Sequence, residues 1–435
     1  MSTHSEELLF QLPRRDDFAN KVSAIKIRVV MPGYGFTSPC YARGFIIPGV
    51  LLIMQEFHVD SVTGLNALCD QLRGSEWLAV DTEFMREKSY FPQLCLLQVS
   101  NGHLAASVDP LAIDDLAPLL DILYDPATVK IFHAGHQDLE IFYLLRQSLP
   151  GPLFDTQLAA TLLGLGDQVG YGTLVQQVLD HSLEKGHTRA DWSRRPLEQE
   201  QLRYALDDVI YLGEVYLKLV ASLQEKGRTQ WLDDDFARLA DPKTYAVDPD
   251  ESWQRVKGRQ RLKGIQLAVL KALSAWREER AITADRPRRW IIKDEVLLEL
   301  ARRMPDEIRQ LERIRGLESG TVKRFGETLL DRIAAARKLP KAQWPEEKRR
   351  SPRLSINQEA VADLLMCSLR LLAAEEGIMP SVLASQGDIE RLILGERELA
   401  VLDGWRKLIA GDALLEVLAG RRAPRVEEGK IYLRP

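Results

Sequence analysis

Regular spacing of apolar positions begins near His58. Leu65, Leu68 and Leu72 recur at helical intervals, and Thr63 is placed to cap the helix they predict. Short β-like runs follow at Trp77–Phe84, Leu94–Val99 and His103–Val108, then a helix over Asp114–Tyr124 and a strand at Thr128–His133. Further helices are expected over His136–Arg146, Thr156–Leu165, Thr173–Leu179 and, longest of all, Leu197 to about Gln224. Closely spaced strands predict an antiparallel meander, and the later strand–helix alternation predicts a parallel addition. The expected architecture is a mixed α/β sheet flanked by helices. After Asp250 the strand pattern stops: Trp253–Leu339 and Ser355–Arg422 read as all-α bundles, compatible with a diverged duplication, joined by a Pro- and charge-rich linker. Residues 1–53 lack periodicity and are expected to be poorly ordered or loosely attached. The resulting division is 1–53, 54–250, 251–340, a linker at 341–354, and 355–425.

Composition narrows the class. A 435-residue chain with 45% hydrophobic and 28% charged residues has room for several domains and excludes wholesale disorder. Cys40, Cys69, Cys95 and Cys367 show no CxxC spacing, which disfavours a disulfide framework or zinc module and favours a reducing compartment. No window approaches the roughly 18 apolar residues of a spanning helix, and Met1–Asn20 contains no signal-peptide core, so the expected location is cytoplasmic, without membrane contact. The net charge of −5 conceals a division by segment: residues 1–50 carry +2, 51–250 carry −16, 251–350 carry +11 and 351–435 carry −2. An acidic module precedes a basic one.

The candidate chemistry lies in the acidic module. Asp81 and Glu83 end the run Trp77-Leu-Ala-Val, and on a strand residues i and i+2 reach one side. Alone, the pair could equally mark a strand end meeting solvent. Asp138 follows the Thr128–His133 strand in the first turn of a helix, where an acid often only complements the dipole. Tyr204 and Asp208 are i and i+4 on the long helix, one turn apart on one face; Asp207 points about 100° away, towards solvent. His133 and His136 have poor ligand spacing and read as packing residues. Gly164-Leu-Gly-Asp-Gln-Val-Gly170 reads as a turn, because its last spacing is wrong for a phosphate loop. Phe84, Tyr90 and Phe91 are candidate base-stacking rings, with core packing the competing role for Phe84.

Asp-x-Glu on a first strand, Asp after a later strand and Tyr-x-x-x-Asp on a final helix form a constellation that resembles the DEDD superfamily of 3′-5′ exonucleases, tyrosine subgroup. Arg203 occupies the position where the histidine subgroup would carry its histidine. The wider pattern resembles the ribonuclease D family, through Trp77–Arg86, Phe91-Pro-Gln93, His133–Glu140 and Thr188–Pro196 leading to Tyr204. Together these motifs cover about residues 54–225. The stretch Ile265–Leu317 resembles the HRDC domain, and Ser355–Arg422 does so more faintly. The resemblance implies an α/β ribonuclease H-like exonuclease domain followed by two all-α HRDC-like domains. It implies two divalent ions held by Asp81, Glu83, Asp138 and Asp208, with Tyr204 positioning the attacking water. Independently, converging carboxylates repel unless cations lie between them, and all-oxygen ligands favour Mg²⁺ or Mn²⁺.

Arg255–Lys263, Arg286–Arg289, Arg302-Arg303 and Lys348–Arg350 give the basic module phosphate-binding potential, with a solvated helix face as the ordinary alternative. The implied activity is stepwise release of nucleoside 5′-monophosphates from RNA with an unpaired 3′ end, precursor tRNA by resemblance, with no obligate protein partner. A DNA-directed repair exonuclease and an inactive RNA-binding protein are the competing classes. Family members would begin near Met54, so residues 1–53 are expected to reflect an upstream start codon or a nonessential extension.

Overall fold

The computed structural model describes residues 54–183, 186, 190–346 and 353–434, together with the backbone of strands at 25–29, 40–47 and 50–53. Eight strands form one mixed sheet: β1 (Ile25–Val29), β2 (Cys40–Ile47), β3 (Val50–Val59), β4 (Trp77–Met85), β5 (Gln93–Ser100), β6 (Leu104–Val108), β7 (Val129–Phe132) and β8 (Leu153–Asp155). Their order is β1-β2-β3-β6-β5-β4-β7-β8. The expected meander is β4-β5-β6, and β7 and β8 add in parallel beyond β4. Three strands lie within or enter the segment 1–53, where the sequence shows no period. The rest of that segment falls outside the described residues.

Alternation along β4 builds both faces. Leu78 and Val80 enter one core with Leu65, Leu68 and Leu72 of α1 (Val62–Leu72), Leu119 and Leu123 of α2 (Ala117–Leu123), and Leu139 and Phe142 of α3 (His136–Arg146). Ala79 faces a second core with α4 (Thr156–Thr161), α5 (Tyr171–Leu179) and the 27-residue α6 (Gln199–Glu225). A reciprocal cap between Glu198 and Gln201 starts α6. The helix passes so close to β4 that a Cβ on Gly213 would lie 2.4 Å from the Trp77 indole. Glycine at that point lets α6 descend onto the sheet and carry its acid to the end of β4. The cap of α1 is Ser61, whose hydroxyl accepts from the Gly64 amide, rather than Thr63, which lies inside the helix.

Two helical units follow α7 (Asp233–Leu239), each with its own core. The first packs α8 (Ile265–Thr283) against Asp294–Arg303 and Ser319–Arg337 around Leu273, Trp276, Leu297 and Leu329. The second gathers Leu365, Leu369, Ile389 and Leu414 under the helix Ile356–Glu376. It ends in an exposed hairpin of β9 (Ala423–Glu427) and β10 (Lys430–Arg434), a departure from the all-α expectation. Positive φ at Glu428 (49°) and Gly429 (78°) makes the tight two-residue turn that such a hairpin needs.

Both units dock on the sheet domain. Trp231 and Trp405 stack with centroids 4.2 Å apart and planes 5° from parallel, flanked by the Arg228 and Arg406 guanidinium groups. Arg228 also reaches Glu376 at 3.0 Å, and Arg406 reaches Asp235 at 3.1 Å. The glycine run 164–170 is a turn, as expected. A Cβ on Gly164 would come within 2.7 Å of the Gly377 carbonyl oxygen, so the turn serves domain contact.

Candidate active site

The alternation that places Ala79 towards α6 continues to Asp81 and Glu83. Asp208, on the overlying helix, meets them: one carboxylate oxygen from each of Asp81, Glu83 and Asp208 lies within 4.8 Å of the others. Asp138 comes from α3, whose Leu139 shares the first core with Val80, and its charge acts on Asp81. The Thr82 hydroxyl, between the two acids on β4, donates to the Asp138 carboxylate. All four expected acids therefore converge on the end of β4, three in one cluster and the fourth tied to it through Thr82.

Burial and mutual repulsion dominate the electrostatics. Burial first, then the charges of Asp138, Asp208 and Glu83, pushes the Asp81 carboxyl well above its usual range. Burial with the Asp208 and Asp138 charges raises Glu83 to about 8, and burial with Asp207 and Asp138 raises Asp208 to about 7. Burial also raises Asp138 to about 6, opposed by the Thr82 hydrogen bond. Oxygen-only donors this close, each disfavouring its own charge, fit hard divalent cations.

The sign of the pH dependence follows. These carboxyls hold protons more tightly folded than unfolded, so their contribution to stability is full at acid pH and is lost as pH rises through about 6 to 8. Cations compete with the same protons. The rise in Tm on adding Mg²⁺ or Mn²⁺ to chelator-treated protein should therefore be larger at pH 8.5 than at pH 5.5. A shift that is equal at both pH values, or absent, contradicts cation binding here.

Tyr204 lies one turn before Asp208, and Trp192 is its tilted neighbour with ring centroids 6.2 Å apart. The segment carrying Trp192 is clamped by Arg195. Its guanidinium donates to both oxygens of Asp109 at 2.6 and 2.7 Å, to the Cys95 carbonyl at 2.6 Å and to the Trp192 carbonyl at 2.7 Å. Asp207 is not a solvent-facing acid: its side chain is 19% exposed and pairs with Arg203 at 3.3 Å. The i,i+4 reach of arginine on the same helix draws it in.

Two site neighbours escape sequence reasoning. The Tyr171 hydroxyl donates to the Asp207 carbonyl at 3.0 Å, and burial plus the nearby Asp208 and Asp81 charges raise its pKa well above the ordinary tyrosine value. Asp155 is 2% exposed and accepts backbone N–H groups from Ala134, Gly135, Gln157 and Leu158. It caps α4 and holds the turn from which α3 carries Asp138. An N-cap acid before Thr156-Gln157 is a readable signal for the first role, and nothing local signals the second. His133 is a packing residue as expected, with one ring nitrogen 2.9 Å from the Thr156 hydroxyl and the other 3.0 Å from the Val169 carbonyl. His136 instead lies beside Tyr245, centroids 5.0 Å apart. Tyr90 is buried with its ring edge-on to Phe91, committed to packing rather than to stacking on a base.

Comparison with known proteins decides the family. The 3′-5′ exonuclease family model matches residues 57–224, and the HRDC domain model matches 266–333. Ribonuclease D of Sphingobium indicum is 44% identical over 379 residues, covering 86% of this chain and 97% of the relative. The chain belongs to the ribonuclease D family. Ribonuclease D of Zymomonas mobilis is 42% identical, covering 86% of this chain and 96% of that protein. The crystal structure of Escherichia coli RNase D, described as an exoribonuclease involved in structured RNA processing, superposes with a TM-score of 0.71 at 30% identity. That match covers 83% of this chain and 98% of the other. As a ribonuclease D family member the chain is a 3′-5′ exoribonuclease, and its exonuclease fold implies dependence on a divalent cation. Among the described residues no helix is long and apolar enough to cross a membrane.

Proposed function

We propose that Asp81, Glu83, Asp138 and Asp208 hold two divalent ions, Mg²⁺ or Mn²⁺, and that the enzyme removes 3′-terminal nucleotides of RNA as 5′-monophosphates. The observation that carries this reading is the convergence of Asp81, Glu83 and Asp208 at the end of β4, with Asp138 beside them. When bound, such ions neutralise the phosphodiester charge, lower the pKa of a water molecule and stabilise the departing 3′-oxygen. Tyr204 positions the attacking water by hydrogen bond, and Trp192 and the Arg195 clamp hold the ring side of that arrangement. Thr82 keeps the Asp138 carboxylate turned towards the other acids. Asp208, raised to about 7, and Glu83, raised to about 8, give up their protons when cations bind.

The substrate on this reading is RNA with an unpaired 3′ end, with 3′-extended precursor tRNA the favoured case, and the setting is cytoplasmic. The basic module is the electrostatic footprint for that RNA, and the helical unit at 355–425 is read as a second HRDC-like domain. Competition between extended precursor tRNA, a fully base-paired RNA and single-stranded DNA tests this choice. Preferential shortening of the precursor tail is expected, and equal or faster degradation of the DNA would favour a DNA-directed exonuclease.

A further inference from the structure

A cleft of about 700 Å³ opens between the exonuclease domain and the first helical unit. Arg86, His136 and Tyr245 form one wall, and Arg255, Arg289 and Trp290 line the other. The walls are locked together. Asp285, at the end of α8, accepts the backbone amides of Tyr90 and Phe91 at 2.9 and 3.0 Å. The Tyr90 hydroxyl donates to buried Glu278, and the Arg288 guanidinium lies 5.5 Å from the Tyr90 ring centroid while pairing with Glu278 at 2.9 Å. The cleft is thus built by the docking of two domains, not by a mobile loop.

Two of its lining residues stand on the elements that carry the acids. His136 precedes Asp138 by two residues in the first turn of α3, and Arg86 follows Glu83 by three at the end of β4. We propose that this cleft is a binding subsite for single-stranded RNA upstream of the terminal nucleotide, with Trp290 stacking on a base and Arg255 and Arg289 contacting phosphates. The proposal rests on the exoribonuclease reading and adds where the chain leading to the scissile bond is held.

The division of labour among the arginines supports it. Arg86 is spent on Glu140 at 2.8 Å, and Arg288 on Glu278. Arg289, by contrast, is 72% exposed, with its nearest carboxylate, Glu295, at 3.9 Å, and Arg255 is exposed. Glu87 also reaches the lining, but the paired Glu140 leaves the open cations in the majority. Trp290 is 59% exposed beside them, a large apolar ring kept in water at the cleft. Exposed cations interleaved with an aromatic face suit a polyanion with stackable bases, and stacking tolerates any base sequence.

The test measures binding of the full-length protein to a trinucleotide and a dodecanucleotide of oligoadenylate, in EDTA to prevent hydrolysis. Wild-type protein should bind the longer RNA more tightly. Trp290→Ala should weaken dodecanucleotide binding by about fivefold or more with little change for the trinucleotide, and Trp290→Phe should restore most of the gain. Arg255→Ala with Arg289→Ala should lower the slope of log K against log salt for the dodecanucleotide by about 0.7 per arginine. Melting curves matching wild type identify folded variants. Folded variants that keep the full length dependence and salt slope, in a protein that releases nucleotides with Mg²⁺, overturn the subsite alone. A wild type that releases nothing from either RNA with Mg²⁺ or Mn²⁺ overturns the exoribonuclease reading, and the subsite with it.

Discussion

Replacing Asp81 or Asp208 by alanine should lower RNA hydrolysis by about a thousandfold or more while leaving RNA binding in EDTA largely intact. Each substitution removes one of three carboxylates whose oxygens lie within 4.8 Å of one another, so on the proposed metal-site reading the charge left to hold cations at the scissile phosphate falls below what the site needs. On the proposed reading, binding draws instead on the segment 251–350, which carries a net charge of +11 and is untouched. Neither change should harm the fold. Both acids are raised in pKa by burial and neighbouring charge, so removing one relieves repulsion, and the cation-free variants should melt at or above the wild-type temperature at pH 8. Activity within tenfold of wild type in either variant would sink the assignment of the site.

The second large effect is expected at Asp155, which touches no cation on this reading. Its carboxylate is the buried acceptor for four backbone N–H groups, two in the turn before α3 and two at the start of α4. Ala134, in that turn, has φ of 54°, a left-handed conformation that costs a non-glycine residue about 1 kcal/mol or more and needs the surrounding bonds to hold it. Asp155→Ala leaves those donors without their acceptor and should cost about 3 kcal/mol in urea unfolding. Activity should also fall, because the turn carries Asp138. Asp155→Asn keeps one oxygen acceptor and should cost less. An unfolding midpoint unchanged by Asp155→Ala would show that the turn holds itself.

The different visibility of these residues in the sequence has a physical basis. Helix α3 is found at its expected limits, His136–Arg146, because its apolar face and the strand before it are both periodic. Four of the five proposed site positions are legible because strand and helix periods dictate which neighbours share a face: Asp81 with Glu83, and Tyr204 with Asp208. Strand β8 is not legible, since three residues, Leu153–Asp155, are too few to show a period. Asp155 matters through contacts with residue 134 and 135 amides, some twenty positions away, and Tyr171 reaches the site only through the packing of α5 on α6. Asp207 deceives for a related reason, because its helical angle points outward while Arg203, one turn earlier, folds back over it. The terminal hairpin is exposed on nearly all sides and so carries no buried alternation to read. The role of the β4–β5 turn as a docking point is equally invisible, because its partners Glu278 and Asp285 lie in another domain.

The arrangement also explains the charge division along the chain. Acids in 51–250 include the four that surround the end of β4, and the basic block that follows supplies Arg255 and Arg289 to the adjoining cleft. On the proposed reading, one domain concentrates negative charge where cations would be held, and the next offers positive charge where the RNA would approach.

The most direct test follows the products of wild-type protein acting on single-stranded RNA labelled at its 3′ end, with Mg²⁺ and with EDTA. The expected result is labelled nucleoside 5′-monophosphate from the first time point, shortening of a 5′-labelled copy by one nucleotide at a time, and no product in EDTA. Internal fragments appearing first, nucleoside 3′-monophosphates, or undiminished activity in EDTA would contradict a cation-dependent 3′-5′ exoribonuclease.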